Sequence, residues 1–175
     1  MPRLPADARQ LLRSELDYQQ RFREHALPRG AIHGDLFRDN VLFERERVSG
    51  LLDFYSAADD ALLFDVAITA NDWCRGADEC LDPERTTALL VAYHAGRPFV
   101  AEEEQLWPVL LRAAALRFWL SRLREACPRP DKAPQEFELL LRGHRENMAA
   151  HAALWTQSIP QKTYVNFAYC LNVAR

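Results

Sequence analysis

The spacing of hydrophobic and polar residues predicts a mostly helical protein with one small β-hairpin. Apolar residues recur at helical spacing in five segments, 6–26, 60–75, 83–96, 102–127 and 135–155. Two short apolar runs, 41–43 and 51–54, flank the polar stretch ERERVSG, and this arrangement predicts a β-hairpin over 41–54. Ala31-Ile32 is a short strand-like segment before the hairpin, and Pro108 predicts a kink or a first helical turn.

The last predicted helix carries one apolar stripe, and we assign its two histidines to packing. The stripe consists of Phe137, Leu141, His144, Met148, His151 and Trp155. Residues 156–175 contain no acidic residue and no clear periodicity, so we interpret them as an atypical C-terminal tail.

Length, charge and cysteine spacing narrow the class of protein. A chain of 175 residues is about one domain, and its net charge of -3 gives no strong field for nucleic acid or an acidic membrane. Four cysteines occur, without a C-x-x-C pair or zinc spacing, which indicates free thiols. The charged N-terminus does not resemble a signal peptide, and no apolar run approaches the roughly 18 residues of a membrane span. We therefore predict a soluble cytoplasmic protein.

Several polar side chains that are common in active sites lie between the first two strand-like segments. His33, Asp35 and Asn40 form H-x-D-x-x-x-x-N within IHGDLFRDNVLF, and Asp53 follows in LLDFY. If the hairpin turn centres near residues 46–47, Asn40 and Asp53 lie almost opposite each other, about 5 Å apart. An amide oxygen and a carboxylate at that distance can share Mg²⁺, which takes oxygen ligands and few carboxylates.

Asp35 lies in the same loop and can accept the proton of a substrate hydroxyl. Phosphoryl transfer needs positioning, charge neutralisation by magnesium and one such acceptor. The plainer alternative is that these Asp and Asn side chains only bond the local backbone of a turn. The apolar flanks and the Asp-Phe pair at the end of a predicted strand favour the functional interpretation.

These segments resemble the aminoglycoside phosphotransferase-like kinases, which share the protein-kinase fold. HGDLFRDNVLF and LLDFYSA match the catalytic and metal-binding segments of that family, over roughly residues 1–155. LFDVAITANDWC and AALRFWLSRL point to its homoserine kinase branch. The resemblance implies ATP and Mg²⁺ as cofactors and L-homoserine as the small-molecule substrate.

The resemblance also implies a role for each residue of the loop. Asp35 is the expected catalytic base in loop 33–40, and Asn40 and Asp53 are the expected magnesium ligands that contact the nucleotide phosphates. His33 is expected to brace the loop. Asp65 in LFDVAI is expected to accept backbone N–H bonds near His33 and Gly34, with a plain carboxylate at a helix N-terminus as the alternative.

Two residues are candidates for the substrate pocket. Asp72 in NDWC is a candidate for the substrate ammonium, with a solvated helix residue as the alternative. Arg117 lies on a helix that is apolar on nearly all sides and is a candidate for the substrate carboxylate. The alternative for Arg117 is an ion pair within this protein. Trp73 and Trp119 either line the pocket or belong to the core.

The nucleotide-binding elements of a two-lobed kinase cannot be found in the sequence. Its six glycines are scattered, so no glycine-rich loop can be written, and no lysine precedes Lys132. We therefore expect the large C-terminal lobe alone, with the small lobe missing and self-association possible through the uncovered surface. Two alternatives remain open: a kinase for another small alcohol such as an aminoglycoside or choline, and a catalytically silent fragment or binding module.

Overall fold

A computed structural model describes residues 4–23, 25–76, 80–125 and 136–159. The fold class predicted from the sequence is confirmed, since helices dominate and the strands are short and antiparallel. The elements in chain order are α1 Ala6–Gln20, β1 Arg29–Ile32, β2 Val41–Glu44, β3 Arg47–Leu51, β4 Ala58–Ala61, α2 Leu62–Trp73, α3 Pro83–Gly96, α4 Ala101–Glu125, α5 Glu136–Glu146 and α6 Met148–Ser158. Across the described ranges, no helix combines the length and apolarity needed to cross a membrane.

Helix α4 forms the centre of the helical core. It packs against α1, α2, α5 and α6, and its side chains Trp107 and Trp119 are fully buried together with Trp155 of α6. The burial of such large apolar side chains is the main favourable contribution to folding. Pro108 lies inside α4, which continues through it, so of the two predicted alternatives, a kink and a first helical turn, the first turn is excluded.

Three predicted helix boundaries were also wrong. Helix α1 ends at Gln20 instead of residue 26, where tighter bonds such as Arg21 N–H to the Tyr18 carbonyl (3.2 Å) follow. The predicted helix 60–75 begins at Leu62, because residues 58–61 form β4 instead. The predicted helix 135–155 is divided at Asn147, whose side chain donates to the Gly143 carbonyl at 2.9 Å.

The apolar stripe survives this break, because its members lie in the core on both sides of Asn147. All six are buried except Met148, which is partly exposed. The expected tail at 156–175 begins within α6, which continues to Ser158, and residues 160–175 lie outside the described residues.

In the described part of the chain, the strands form two separate two-stranded sheets. The predicted hairpin is present as β2 and β3, with Glu44 paired to Arg47, and it ends at Leu51 instead of residue 54. A second antiparallel pair, β1 with β4, was not predicted, because the polar sequence ADDA of β4 has no strand pattern. The bond from Leu62 N–H to the Pro28 carbonyl (2.9 Å) continues this pair into α2. As a result, α2 begins directly beside the strand that leads into the polar loop.

Candidate active site

The polar loop leaves β1 through a turn that requires glycine. Gly34 has a φ of +73°, in the left-handed region that only glycine enters without strain. A Cβ atom at this position would lie 2.5 Å from the carbonyl oxygen of Ser56. The loop backbone therefore lies directly against the short 3₁₀ turn Phe54–Ser56.

Asp65, in the first turn of α2, holds this turn of the loop by two hydrogen bonds. Its Oδ2 accepts the N–H of His33 at 3.0 Å, and its Oδ1 accepts the N–H of Gly34 at 2.8 Å. Hydrogen bonds from backbone amides to a carboxylate are stronger than neutral ones. The structure thus gives Asp65 contacts that a plain helix-end carboxylate would lack.

His33 connects the loop to the end of the hairpin. Its Nδ1 accepts the N–H of Asp35 at 3.3 Å, so the proton lies on Nε2, which donates to the Leu52 carbonyl at 2.8 Å. The buried ring also packs against Phe54, with ring centroids 4.7 Å apart. Leu52 N–H in turn donates to the Asn40 carbonyl at 2.9 Å, so one residue links both ends of the loop.

Asn40 ends a 3₁₀ turn over residues 38–40 and contacts Asp35. Its Nδ2 donates to the Asp35 carbonyl at 2.8 Å and lies 3.5 Å from Asp35 Oδ2. With its amide nitrogen used, the Oδ1 of Asn40 has no hydrogen bond among the described residues. An amide oxygen in this state is an available ligand for a hard cation.

Asp53 follows β3 in a strained backbone conformation. Its φ and ψ of 58° and 65° are left-handed, which costs a non-glycine residue on the order of 1–2 kcal/mol. The hairpin register places Asn40 opposite Leu52, so the predicted partner, Asp53, lies one residue beyond the observed one. The register differs because the turn is at Arg45-Glu46 and a bulge follows Leu42.

The carboxylate of Asp35 is partly buried, and charges of both signs act on it. Burial raises the pKa of Asp35 above its ordinary value, and the positive charge of Arg117 opposes this shift. The negative charge of Asp53 raises the pKa of Asp35 further. Asp53 and Arg117 are therefore both close enough to act on the charge of Asp35, although the three residues come from separate parts of the chain.

Two helices contact the remaining backbone of the loop. Arg117 of α4 donates through Nη1 to the Gly34 carbonyl. Trp73 of α2 donates through Nε1 to the Leu36 carbonyl at 3.1 Å, which gives this ring a polar contact in addition to packing. Trp119 belongs to the core.

Asp72 lies beside the loop but already has a partner. Both of its carboxylate oxygens accept hydrogen bonds from Arg38. This pair was not predicted, because no local pattern connects residues 34 positions apart. A substrate ammonium at Asp72 would have to share these oxygens with Arg38.

The donor set fits a magnesium ion better than a metal that needs several protein ligands. No group of three or more His, Cys, Asp and Glu side chains converges as a metal site within the described ranges. Asn40 and Asp53 offer an amide oxygen and a carboxylate, and Mg²⁺ is usually held by one or two carboxylates together with phosphates and water.

The chain matches known proteins over the same segments. Residues 2–102 match the sequence profile described as the phosphotransferase enzyme family, which includes the loop, the hairpin and α2. A homoserine kinase of Methylobacillus flagellatus is 52% identical over 124 residues, which are 71% of this chain and 39% of that protein.

Two longer alignments extend into the later helices. A homoserine kinase of Pseudomonas aeruginosa strain UCBPP-PA14 is 49% identical over 161 residues, which cover 86% of this chain and 49% of that protein. One of Ralstonia pickettii is 48% identical over 178 residues, which cover 92% of this chain and 52% of that protein. The chain spans about half the length of the curated relatives it matches. It belongs to the phosphotransferase enzyme family, and the relatives it resembles here are homoserine kinases.

Proposed function

We propose that this chain carries the catalytic lobe of an ATP-dependent kinase that phosphorylates the hydroxyl of L-homoserine. The observation that carries the proposal is that Asp35 contacts Asn40 and lies within electrostatic reach of both Arg117 and Asp53. The names of the similar proteins support L-homoserine as the acceptor. Membership of a phosphotransferase family supports ATP as the phosphate donor.

In the proposed reaction, Asp35 accepts the proton of the substrate hydroxyl. The hydroxyl oxygen forms a bond to the γ-phosphorus of ATP, the bond from that phosphorus to the bridging oxygen breaks, and ADP leaves. The products are O-phospho-L-homoserine, ADP and a proton that Asp35 then releases to solvent. A partly buried carboxylate with a raised pKa is a suitable acceptor, because it is a better base than an exposed one.

Asn40 and Asp53 would hold magnesium in this reaction. When bound, the ion neutralises charge on the nucleotide phosphates, which is a main requirement of phosphoryl transfer. The free Oδ1 of Asn40 and the strained backbone of Asp53 support this assignment, since strain at a polar residue is often retained for function.

His33 and Asp65 would keep Asp35 in place without contacting the reacting atoms. The bonds described above connect these two residues to the amides of the loop. Arg117 remains our candidate for the substrate carboxylate. Only its Nη1 is used by Gly34, and a guanidinium has further donors that suit a planar carboxylate.

We further propose that residues 1–155 correspond to the large lobe of a two-lobed kinase. The hairpin and the turn after it expose large apolar side chains, with Phe54 56% and Tyr55 fully exposed. The others in this group are Leu42, Phe43, Val48, Leu51 and Leu52. A small lobe, supplied by sequence that the relatives have beyond the matched half, would cover such a surface. Left uncovered, the same surface would favour self-association.

The proposal is tested by ADP release from MgATP, with and without L-homoserine. We expect homoserine-dependent release that Asp35→Asn lowers by about 10²–10⁴-fold, the usual contribution of a general base. Asp39→Asn is the matched control, because Asp39 is an exposed carboxylate of the same loop. Release that does not depend on homoserine, or that survives in Asp35→Asn, would contradict the proposal. The absence of any turnover in the wild-type chain would show that the small lobe proposed above is needed, and the same comparison is then made in the two-lobed protein. No turnover in the two-lobed protein would favour the catalytically silent alternative.

A further inference from the structure

The carboxylate of Asp72 accepts three hydrogen bonds from one residue of the loop. Its Oδ2 accepts the backbone N–H of Arg38 at 2.8 Å and the side-chain Nε at 3.1 Å. Its Oδ1 accepts Nη2 of the same arginine at 3.2 Å. The planar guanidinium and the backbone amide of Arg38 thus both donate hydrogen bonds to a single carboxylate.

The bond to the backbone N–H matters most for the geometry of the site. Arg38 begins the 3₁₀ turn that ends at Asn40, and no side chain at the preceding Phe37 caps this turn. The first N–H groups of a helical turn have no partner within it and need one from outside. Asp72 supplies that partner from a helix 34 positions further along the chain.

Helix α2 therefore holds the loop at two points. Asp65 binds the amides at its beginning, and Asp72 binds the amide of Arg38 near its end. The two aspartates are seven positions apart, so they lie on the same face of α2, about two turns and roughly 10 Å from each other. A straight helix keeps the distance between the two carboxylates fixed. The beginning and the end of the loop, which bind these carboxylates, are therefore also held at a fixed distance from each other.

Asn40 is the residue that this arrangement positions. Its N–H donates to the Phe37 carbonyl at 3.0 Å within the turn, and its side chain bonds the Asp35 carbonyl. Trp73, the last residue of α2, holds the Leu36 carbonyl on the other side of Phe37. If the amide of Arg38 were released, the turn and the amide side chain of Asn40 would lose their fixed orientation.

We propose that Asp72 is a positioning residue, which caps the turn Arg38–Asn40 and thereby orients Asn40 toward the nucleotide phosphates. This role replaces the expectation that Asp72 binds the substrate ammonium. The expected effect on turnover rests on the proposed kinase function, whereas the capping of the turn does not. The guanidinium part of the contact is secondary, because the side chain of Arg38 is 60% exposed and exposed ion pairs contribute little.

The first test measures amide hydrogen exchange by NMR in the 175-residue chain and needs no turnover. In Asp72→Ala we expect the amides of Arg38 and Asn40 to exchange about tenfold to a hundredfold faster, as for the loss of a hydrogen bond to a charged group. Asp72→Asn keeps the shape and one neutral acceptor and should show a smaller change. If the alanine variant does not fold, the asparagine variant still allows the exchange rates to be compared with those of the wild-type chain.

Two further variants separate the cap from its surroundings. Arg38→Ala removes the guanidinium but leaves the backbone amide on Asp72, so it should preserve most of the protection at residue 38. Asp39→Ala removes a neighbouring exposed carboxylate and should change neither amide. Unchanged exchange in both Asp72 variants, or equal losses in Arg38→Ala and Asp72→Ala, would overturn the proposal.

The second test is the kinetic effect of Asp72→Asn on homoserine-dependent ADP release. A positioning role predicts a lower kcat with an unchanged KM for L-homoserine, since the substrate is not contacted. A raised KM for L-homoserine with unchanged kcat would overturn the proposal in favour of ammonium binding. Failure of the kinase function itself would appear as no turnover in the wild-type two-lobed protein, whereas the hydrogen-exchange test gives its result without any turnover.

Discussion

Asp65 accepts the backbone N–H of Gly34 at 2.8 Å, and this bond joins α2 to the loop across 31 positions of the sequence. The second oxygen of the same carboxylate holds the adjacent amide of His33. The turn that precedes Asp35 is thus fixed by one side chain, and the turn cannot move without releasing two charge-assisted bonds.

Removing this carboxylate should destabilise the protein and loosen the loop. Asp65→Ala is expected to lower the free energy of unfolding by about 3 kcal/mol or more, since each hydrogen bond to a charged group contributes about 1.5–3 kcal/mol. Urea denaturation measures the loss, and hydrogen exchange at His33 and Gly34 locates it. Asp17→Ala, at an exposed carboxylate of α1, is the control. Equal stability of the two variants would contradict the role of Asp65.

A side chain at position 34 should not be tolerated. Gly34→Ala forces a left-handed alanine, at about 1–2 kcal/mol, and brings its Cβ to 2.5 Å from the Ser56 carbonyl. We expect a total loss above about 2 kcal/mol in urea denaturation. Gly96→Ala is the matched control, because no atom of the described residues lies within 4 Å of a Cβ there and alanine favours the helix. Similar stabilities for both variants would show that the turn at Gly34 adapts.

The ion pair between Glu15 and Arg112 is buried and should be sensitive to the loss of one partner. Two hydrogen bonds of 3.0 and 2.5 Å join the groups, and Glu15 is fully buried. Arg112→Ala leaves a buried charge unpaired and should cost about 3–5 kcal/mol, whereas Glu15→Leu combined with Arg112→Met should recover most of the loss.

Thermal and urea denaturation of both variants measure this difference. Arg142→Ala is the control, because its partners Asp7 and Glu138 lie nearer to the surface and such pairs contribute about 1 kcal/mol or less. If Arg112→Ala cost no more than Arg142→Ala, the buried pair would not be a stabilising element.

Two buried histidines should make the protein sensitive to mild acid. His144 Nδ1 accepts from His151 Nε2 at 3.0 Å, and His144 Nε2 donates to Asn71 at 2.8 Å. Burial lowers the pKa of His144 to about 3, with further lowering by the positive charges of His151, Arg112 and Arg75, and burial lowers the pKa of His151 to about 4.

The sign of the effect follows from proton binding. The unfolded histidines bind protons below their ordinary pKa of 6.5, while the folded ones remain neutral until about pH 4 and 3. Stability is therefore complete above pH 6.5 and falls as the pH is lowered, by up to about 1.4 kcal/mol per pH unit for each histidine. Urea denaturation between pH 7 and 5 measures this slope. His151→Gln should flatten it, and His25→Gln, at an exposed histidine, should not.

The charge of Arg117 should set the acid limit of the proposed reaction. Asp35 must be deprotonated to accept a proton, so turnover falls as the pH drops through its pKa, which burial raises and Arg117 lowers. Arg117→Gln should raise the pKa of Asp35 and move the acid limit of activity to higher pH. A carbon-13 titration of the Asp35 carboxyl group checks the shift directly. Arg122→Gln should have a smaller effect, because Arg122 contributes least to the pKa of Asp35.

The sequence determined the helical class, the hairpin and the loop residues His33, Asp35 and Asn40, because these depend on local spacing. Helical periodicity and a polar loop between apolar runs are visible within a few residues of the chain. The same local signals failed where a distant partner decided the outcome. Residues 58–61 became β4 because β1 was available to pair with them, although their own sequence is polar.

Only the tertiary structure decided which groups hold the loop. Local spacing does not specify that Asp72 accepts bonds from Arg38 or that Arg117 contacts Gly34. It also does not specify the turn position and the bulge that together make Leu52, one residue before Asp53, the partner of Asn40. These contacts arise because α2 and α4 are fixed by the core, which brings their polar ends to the loop. Side chains far apart in sequence are brought together by that burial, and burial depends on the whole chain.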